Sequence, residues 1–306
     1  MNILSLINAL PGAAAQGLIW GIMAIGVYLT FRILDVADLT VDGTMCTGGA
    51  VCVMMLMSGH NIWVSMLAAT GAGMLAGLAT GIFHTFMGIP AILAGILTQL
   101  GLYSANLKIM GKANQAVNGN KYNLLVSLRN VKGVPFYQNT ILIVAVFIVV
   151  LIAILYWFFG TELGCSLRST GCNPNMSRAQ GINTNVCKVL GLMISNGLVA
   201  LSSALLAQYQ GFADVNMGRG AIVIGLAAVI IGEAIFERIF RNFALRLLSV
   251  AFGSILYYLV LQTVIWLGID TDLLKMLSAL VVAVFLAVPY WKTKYFTKPT
   301  KRGGNN

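Results

Sequence analysis

Long runs of apolar residues, separated by short polar segments, fill most of this chain. Nine runs approach the length of about 17–25 residues that crosses a bilayer core of about 30 Å as an α-helix. They cover 13–34, 43–57, 62–86, 89–110, 141–159, 186–208, 220–236, 247–267 and 273–291. The run at 43–57 is short and opens with glycine and threonine, which favours a broken helix near 35–43. The pattern predicts an all-α, polytopic transmembrane helical bundle with about eight to ten spans.

The composition excludes an ordinary soluble domain. Hydrophobic residues make up 58% of the 306 positions, and the mean hydropathy is +0.87. Charged residues make up only 9%, whereas in soluble domains they make up about a quarter of all residues. The formal net charge of +10 would suit nucleic acid, but the basic residues lie in loops and a tail, without interleaved stacking aromatics. We expect a multi-pass protein of the lipid membrane with no nucleic-acid partner.

The basic residues predict an orientation for a transmembrane domain over 1–291 and a tail over 292–306. The tail holds five basic residues and no acid: Lys292, Lys294, Lys298, Lys301 and Arg302. The positive-inside rule places this C-terminal tail in the cytoplasm. Counting spans backwards then places the loop 160–185 inside and the loop 111–140 outside. The loop 111–140 is also basic, which conflicts with the rule, but long loops translocate with less regard to charge.

The polar segment 164–183 separates two apolar runs and is punctuated by glycine. It carries Arg168 and Arg178 and no acid. A compact, basic and potentially helical loop on the cytoplasmic side predicts a docking surface for a soluble partner.

Three carboxylates, Asp35, Asp38 and Asp42, lie among apolar residues after the first run. Ionisable groups near the membrane interior are costly and usually face a cavity or pair with one another. Non-helical backbone at that depth is tolerated where it lines protein or water. The segment is therefore either an unwound element that lines a pathway or a short cytoplasmic turn in which Arg32 pairs with Asp35. The segment 213–218 is weakly similar to the segment 37–42. Either an internal repeat or chance explains this similarity.

A polar stripe lies within the run 89–110. Gln99, Tyr103 and Asn106 recur at spacings of four and three and share one helical face. In lipid such a stripe either hydrogen-bonds a neighbouring helix or lines a path. From their polarity we predict four pathway-lining residues: Asp38, Asp42, Gln99 and Asn106.

The sequence predicts no catalytic residues, no metal site and no cofactor in this chain. It lacks the phosphate-binding Gly-x-x-x-x-Gly-Lys-Ser/Thr motif and the common hydrolase motifs. A membrane transferase that binds magnesium through Asp35, Asp38 and Asp42 is one alternative, although no basic cluster accompanies them. An ion-coupled secondary transporter that uses Asp38 or Asp42 as its proton or sodium site is another.

A series of short segments lies in a characteristic order along the chain: 38–43 (Asp-Leu-Thr-Val-Asp-Gly), 95–97, 102–104, 106–107, 167–174, 181–183, 225–233 and 253–257. This series resembles the permease subunits of bacterial ATP-binding-cassette importers of the branched-chain amino acid and ribose class, especially the tryptophan/tyrosine-type amino-acid permeases. The resemblance extends over nearly the whole chain through the order and spacing of these segments.

The resemblance implies a coupling helix over 164–181 that sits in a groove of a cytoplasmic ATPase. The residues implied in this coupling are Gly164, Leu167, Arg168, Asn173, Pro174, Arg178 and Gly181. It also implies a homodimer of permease copies, an ATPase dimer that binds ATP and magnesium, and an extracytoplasmic solute-binding protein. The expected location is the bacterial cell membrane, and the expected solute is an amino acid, with an aromatic one implied by the subgroup. ATP-driven closure of the ATPase dimer would drive alternating access.

Overall fold

A computed structural model describes residues 3–117, 119, 122, 124–131, 139–236 and 242–268, with isolated positions between 273 and 287. The α-helices are α1 (Ile3–Tyr28), α2 (Thr40–Met57), α3 (Ile62–Thr85), α4 (Ala91–Met110), α5 (Thr140–Phe159), α6 (Glu162–Cys172), α7 (Pro174–Ala179), α8 (Thr184–Gln210), α9 (Ala221–Phe236) and α10 (Phe243–Trp266). The strands are β1 (Asn114–Ala116) and β2 (Phe212–Asp214). A π-helical turn, Leu29–Ile33, continues α1.

The prediction of an all-α polytopic bundle is confirmed. Seven helices among the described residues are long and apolar enough to cross a membrane, and α9, with 16 residues, is a shorter apolar helix. Together they coincide with eight of the nine apolar runs. The ninth run, 273–291, lies mostly outside the described residues, and the tail 292–306 lies wholly outside them.

The long helix α8 separates two different ends of the bundle. The helices α6 and α7 precede α8, and β2 follows it after Gly211. Because α8 has 27 residues and a helix rises 1.5 Å per residue, these elements lie at opposite ends. We name them the helical end, which carries α6 and α7, and the ribbon end, which carries β1 and β2. The described parts of the loops 160–185 and 111–140 lie at the helical end and the ribbon end, respectively.

The centre of the bundle is α8, which packs against α1, α2 and α3. Glycines permit this close approach, because a Cβ at Gly48 of α2 would overlap the Ala200 carbonyl and a Cβ at Gly77 of α3 would overlap that of Leu192. Small residues of this kind let membrane helices pack backbone to backbone. By contrast, only 22% and 28% of the residues in the most apolar stretches of α4 and α5 are buried, against 72% in α2. Thus α4 and α5 lie at the periphery.

The predicted break in the helical pattern lies over 34–39, before α2, which is continuous from Thr40 to Met57. The segment starts with left-handed backbone at Asp35, whose φ is 55°. Side chains then alternate between the interior and the surface, as in extended chain: Val36 and Asp38 are buried, whereas Asp35 and Ala37 are exposed.

The alternative pairing of Arg32 with Asp35 is wrong. Arg32 Nε instead donates a 3.0 Å hydrogen bond to Glu233 Oε1 of α9. The physical reason is that Asp35 lies beyond the end of the π-helical turn in left-handed backbone, while Glu233 lies beside Arg32 at the end of a neighbouring helix. The pair connects the end of α9 with the end of the first span.

Candidate functional site

A cavity of about 370 Å³ lies between α2, the middle of α4 and the irregular segment that joins β2 to α9. Its lining residues are Asp42, Gly43, Cys46, Gln99, Leu100, Tyr103, Asn106, Val215 and Arg219. Three of the four predicted pathway residues therefore meet at one cavity, and Asp38 is not among its lining residues. Whether the cavity belongs to a translocation pathway stays a prediction at this point.

The polar stripe of α4 reaches the cavity because α2 approaches α4 closely. A Cβ built on Gly43 would lie 3.0 Å from the Gln99 Cα, closer than ordinary packing allows. The absence of a side chain at Gly43 brings its backbone beside the stripe. Tyr103 remains 44% exposed, so its ring is a wall of the cavity and not part of the packed core.

The carboxylate of Asp42 caps α9. Its Oδ2 accepts a 3.0 Å hydrogen bond from the Gly220 N–H, and its Oδ1 accepts one of 3.0 Å from the Ile222 N–H. Backbone N–H groups at a helix N-terminus lack intrahelical partners and carry partial positive charge. Asp42 accepts hydrogen bonds from two such N–H groups, which lie 178 and 180 positions further along the sequence. The start of α2 is thereby joined to the start of α9.

The segment 215–220 brings irregular backbone to the level of the α4 stripe. Gly218 packs so tightly on α2 that a Cβ would overlap the Asp42 carbonyl, and Cys46 Sγ donates to the Val215 carbonyl at 2.8 Å. The next residue, Arg219, is exposed and forms no ion pair with any residue that the structure describes. Arg219 thus lines the cavity without an ion-pair partner among the described residues, although the Asp42 carboxylate lines the same cavity.

Asn106 is an incompletely satisfied polar group in the cavity wall. It is 0% exposed, and its Nδ2 donates a long 3.4 Å hydrogen bond to the Gly43 carbonyl. Its Oδ1 has no hydrogen-bond partner within the described structure. Buried polar atoms are nearly always paired, so this oxygen is an unsatisfied acceptor in the cavity wall, where its neighbours cover it.

Asp38 belongs to a separate buried network. Its Oδ1 accepts a 2.9 Å hydrogen bond from the Thr40 N–H, and its Oδ2 accepts one of 2.7 Å from Asn196 Nδ2. Thr44 Oγ1 in turn donates to Asn196 Oδ1 at 2.7 Å. The network ties the extended segment 34–39 to the central helix α8.

The three aspartates do not converge on a metal site. Asp35 is exposed, Asp38 is buried against α8, and Asp42 caps α9. Within the part of the chain that the structure describes, no group of three histidine, cysteine or acidic side chains could hold a metal ion. The structure gives no support to the magnesium-dependent transferase.

The predicted coupling segment folds into α6 and α7, two short helices with their own caps. Thr161 Oγ1 accepts from the Gly164 N–H at 3.4 Å. Asn173 Oδ1 accepts from the Met176 N–H at 3.0 Å, and Pro174 occupies the first turn of α7. Asn and Thr are favoured caps, and proline is favoured at a helix start. Local sequence alone therefore explains where α7 begins.

The seven predicted coupling residues divide into packed and exposed positions. Gly164 and Leu167 are buried against the bundle, and Gly181 closes the turn after α7 with a φ of 82°. Arg168 and Arg178 are exposed, although the Arg168 guanidinium lies 5.4 Å from the Phe243 ring centroid and Arg178 Nε donates to Thr184 Oγ1 at 2.8 Å. Asn173 and Pro174 shape the start of α7.

Sequence reasoning missed Arg219 and Met176. Arg219 directly follows the segment 213–218 and is the sole basic residue between Lys188 and Arg238, a signal that could have identified it. Met176 is 59% exposed on α7, and its position in a polar segment gave little indication of a surface role. Both lie where a ligand or a partner could reach them.

Multi-pass helical bundles with a cavity halfway along their spans are typical of membrane transport proteins. The family model described as the branched-chain amino acid transport system / permease component matches residues 10–288. The chain belongs to this family.

Relatives of this chain are described as permeases for different solutes. It is 39% identical to the tyrosine transport system permease protein of Clostridioides difficile, over 89% of this chain and 88% of that protein. It is 27% identical to the fructose import permease protein FruF of Bifidobacterium longum, over 87% of this chain and 73% of the relative.

A solved structure shares the fold. It is a chain from PsaBC of Streptococcus pneumoniae in complex with Fab, with a TM-score of 0.54 and 17% sequence identity, and the match covers 96% of this chain and 100% of that one. At this identity the likeness concerns the fold alone.

Proposed function

We propose that this chain is the membrane-spanning subunit of an ATP-binding-cassette importer and that it carries an amino acid, preferably one with an aromatic side chain. The observation that carries the proposal is the 39% identity, over 89% of this chain, to a permease described as part of a tyrosine transport system. The fructose permease has lower identity, so the amino-acid solute is the better supported choice. Catalysis and ATP hydrolysis belong to a separate subunit that binds ATP and magnesium.

The exposed surface of α6 and α7 suits the docking of a cytoplasmic ATPase dimer. Leu163 and Met176 are 57% and 59% exposed, and they lie on the same short helices as Arg168 and Arg178. A surface that combines apolar anchors with basic groups matches the composition of protein interfaces. In this proposal the helical end faces the cytoplasm of a bacterial cell, as does the C-terminal tail.

The position of the cavity supports alternating access between two permease copies. It lies halfway along α4, and the charged Arg219 in its wall is exposed. An exposed guanidinium at that level would be costly against lipid. A second copy of the chain that covers α4 would enclose the cavity in protein and water, so we propose a homodimer with the pathway between its subunits.

An extracytoplasmic solute-binding protein completes the proposed assembly at the ribbon end. The connection 111–139 carries the exposed Lys112 together with β1. Complementary charge between this surface and an acidic binding protein would speed and orient their encounter.

The ion-coupled secondary transporter is the weaker alternative. It requires Asp38 or Asp42 to exchange a proton or sodium ion, yet each carboxylate already accepts two hydrogen bonds from the protein. Relationship to a permease-component family gives that alternative no support.

The decisive experiment combines co-purification with transport. The wild type is purified in mild detergent from its native membrane and compared with Met176→Glu/Arg178→Glu, and with Leu128→Glu at the ribbon end as a matched control. We expect the wild type and the control to retain an ATPase subunit and the double variant to lose it. In proteoliposomes the complex should take up L-tyrosine with ATP and the binding protein present, and ionophores should not abolish uptake. ATP-independent uptake that collapses with the ion gradient would overturn the proposal.

A further inference from the structure

The cavity contains the groups that a zwitterionic α-amino acid requires. We infer that Arg219 binds the carboxylate of the transported amino acid there and that Asn106 Oδ1 accepts a hydrogen bond from its ammonium group. This inference rests on the proposed function, because it gives the cavity a role in holding the solute during import.

Arg219 is the cavity residue best suited to bind an anion. Its side chain is exposed and forms no ion pair with any described residue, although it lies at the level of the spans. A guanidinium binds carboxylate through two parallel N–H···O hydrogen bonds, and this bidentate geometry is specific as well as strong. An amino-acid carboxylate in the cavity would supply the missing partner.

The other cationic feature of the cavity, the N-terminus of α9, is already occupied. Asp42 accepts from the Gly220 and Ile222 N–H groups at 3.0 Å each. An incoming carboxylate therefore cannot use these donors without displacing Asp42. The free anion-binding group is Arg219 alone among the described lining residues, and Asp42 at the same time gives the cavity a negative side that favours an ammonium group.

Asn106 supplies an acceptor on the opposite, α4 side of the cavity. Its Nδ2 donates to the Gly43 carbonyl at 3.4 Å, which assigns the unpaired atom as Oδ1. A buried acceptor without a partner is destabilising in a finished site. An ammonium N–H group is a strong donor to such an oxygen. Because neighbouring atoms cover this oxygen, the Asn106 side chain must turn towards the cavity before binding can satisfy both groups.

The remaining walls suit an apolar or aromatic side chain. Tyr103 and Leu100 are 44% and 64% exposed and face the same cavity, together with Val215. The volume of about 370 Å³ falls in the range of about 300–1,000 Å³ that holds small ligands. A neutral sugar offers no carboxylate, so the charge of Arg219 distinguishes an amino acid from a sugar.

The test measures binding to the purified permease–ATPase complex without the solute-binding protein, because that protein would otherwise dominate the specificity. The probes are L-tyrosine, tyramine, which lacks the carboxylate, and 3-(4-hydroxyphenyl)propionate, which lacks the ammonium group. Saturation-transfer NMR detects the weak binding expected of a transit site. We expect the wild type to bind L-tyrosine more tightly than either analogue.

The variants separate the two roles. Arg219→Gln should weaken L-tyrosine binding at least tenfold and leave tyramine binding unchanged, and Arg219→Lys should give an intermediate loss. Asn106→Leu should weaken L-tyrosine and tyramine binding and leave 3-(4-hydroxyphenyl)propionate unchanged. The control Lys108→Gln, at an exposed position in the last turn of α4 and outside the cavity, should bind all three probes as the wild type does. Every variant must still retain the ATPase on purification, which shows that it folds.

Two outcomes would overturn the inference and differ in what they say of the proposed function. ATP-driven L-tyrosine uptake with unchanged tyrosine binding in Arg219→Gln would remove the carboxylate site and leave the importer intact. A complex that imports fructose and binds none of the three probes would overturn both the site and the amino-acid solute.

Discussion

Asp38 and Asp42 lie four positions apart in one apolar stretch, and their side chains serve different parts of the molecule. Asp38 contacts Asn196 of α8, whereas Asp42 caps α9 through Gly220 and Ile222. Their polarity in an apolar context predicted burial or a cavity. Which of the two would occur could not be predicted, because the partners are 158 to 180 positions away in the sequence.

Asn196 offers a test of the buried network at the level of one side chain. Asn196→Ala removes the donor to Asp38 Oδ2 and the acceptor for Thr44 Oγ1, which leaves two buried polar groups unpaired. Such groups cost about 1–3 kcal/mol each. We expect a clear fall in the melting temperature of the detergent-solubilised protein.

The matched control is Asn185→Ala on the exposed first turn of the same helix. Its melting temperature should lie within about two degrees of the wild type, because surface substitutions change the free energy of unfolding by about 0.5 kcal/mol or less. Equal melting temperatures for the two variants would show that Asn196 does not hold the segment 34–39 in place.

At the scale of whole helices, the spans follow from the length of the apolar runs, and their ends agree with the structure to within a few residues for most helices. The run at 13–34 is the exception, since α1 begins at Ile3 and includes Pro11. Proline removes one backbone donor but is tolerated in membrane helices. The central position of α8 depends on which residues the glycines of the neighbouring helices pack against. A single sequence does not predict these contacts.

The interface between α3 and α8 gives a prediction at this scale. Gly77→Ala places a methyl group against the Leu192 carbonyl, and overpacking of this kind costs about 1–3 kcal/mol. Gly71→Ala on the same helix has open space around its Cβ and should be neutral or stabilising by up to about 1 kcal/mol, because alanine favours helix over glycine. Thermal unfolding of both variants in one detergent checks the difference.

If Gly71→Ala lowered the melting temperature more than Gly77→Ala, the close approach of α3 to α8 would not be what makes Gly77 necessary for stability. Gly73→Ala, which would meet the Asn196 carbonyl, provides a second position on the same interface and should behave like Gly77→Ala.

The helix α7 depends on its cap, because six residues are too few for a helix that is stable alone. Asn173→Ala removes the acceptor for the Met176 N–H and should cost about 0.5–2 kcal/mol of local stability. We expect ATP-driven uptake to fall severalfold while the melting temperature of the whole bundle changes little.

Asn173→Asp preserves the capping oxygen and should restore most of that uptake. Full uptake by Asn173→Ala would mean that coupling does not require an ordered α7.

At the scale of the whole molecule, the order of the spans predicted opposite ends for the two long loops, but the cavity could not be derived. It forms where α2, α4 and the segment 215–220 meet, and only the three-dimensional arrangement brings Arg219 to the α4 stripe. The homodimer is likewise a proposal that assembly data must test.

The outward face of α4 predicts the dimer contact. Leu93 and Leu97 are 52% and 49% exposed and lie one turn apart on α4. Leu93→Ala/Leu97→Ala should shift the dimer towards monomer on dilution, as measured by native mass spectrometry. Val149→Ala/Val150→Ala on α5, at residues 60% and 51% exposed, should leave the dimer intact. The reverse pattern would place the contact on α5.

The ribbon brings the proposed docking surface close to the cavity wall along the backbone. Backbone hydrogen bonds join Val215 N–H to the Ala113 carbonyl at 2.9 Å and Val117 N–H to the Gly211 carbonyl at 2.8 Å, so β1 and β2 are held together at the ribbon end. Arg219 follows Val215 by four residues, and the segment between them packs on α2 through Gly218. If a solute-binding protein docks on the 111–117 surface, as proposed above, it rests on the strand pair that leads directly into the Arg219 side of the cavity.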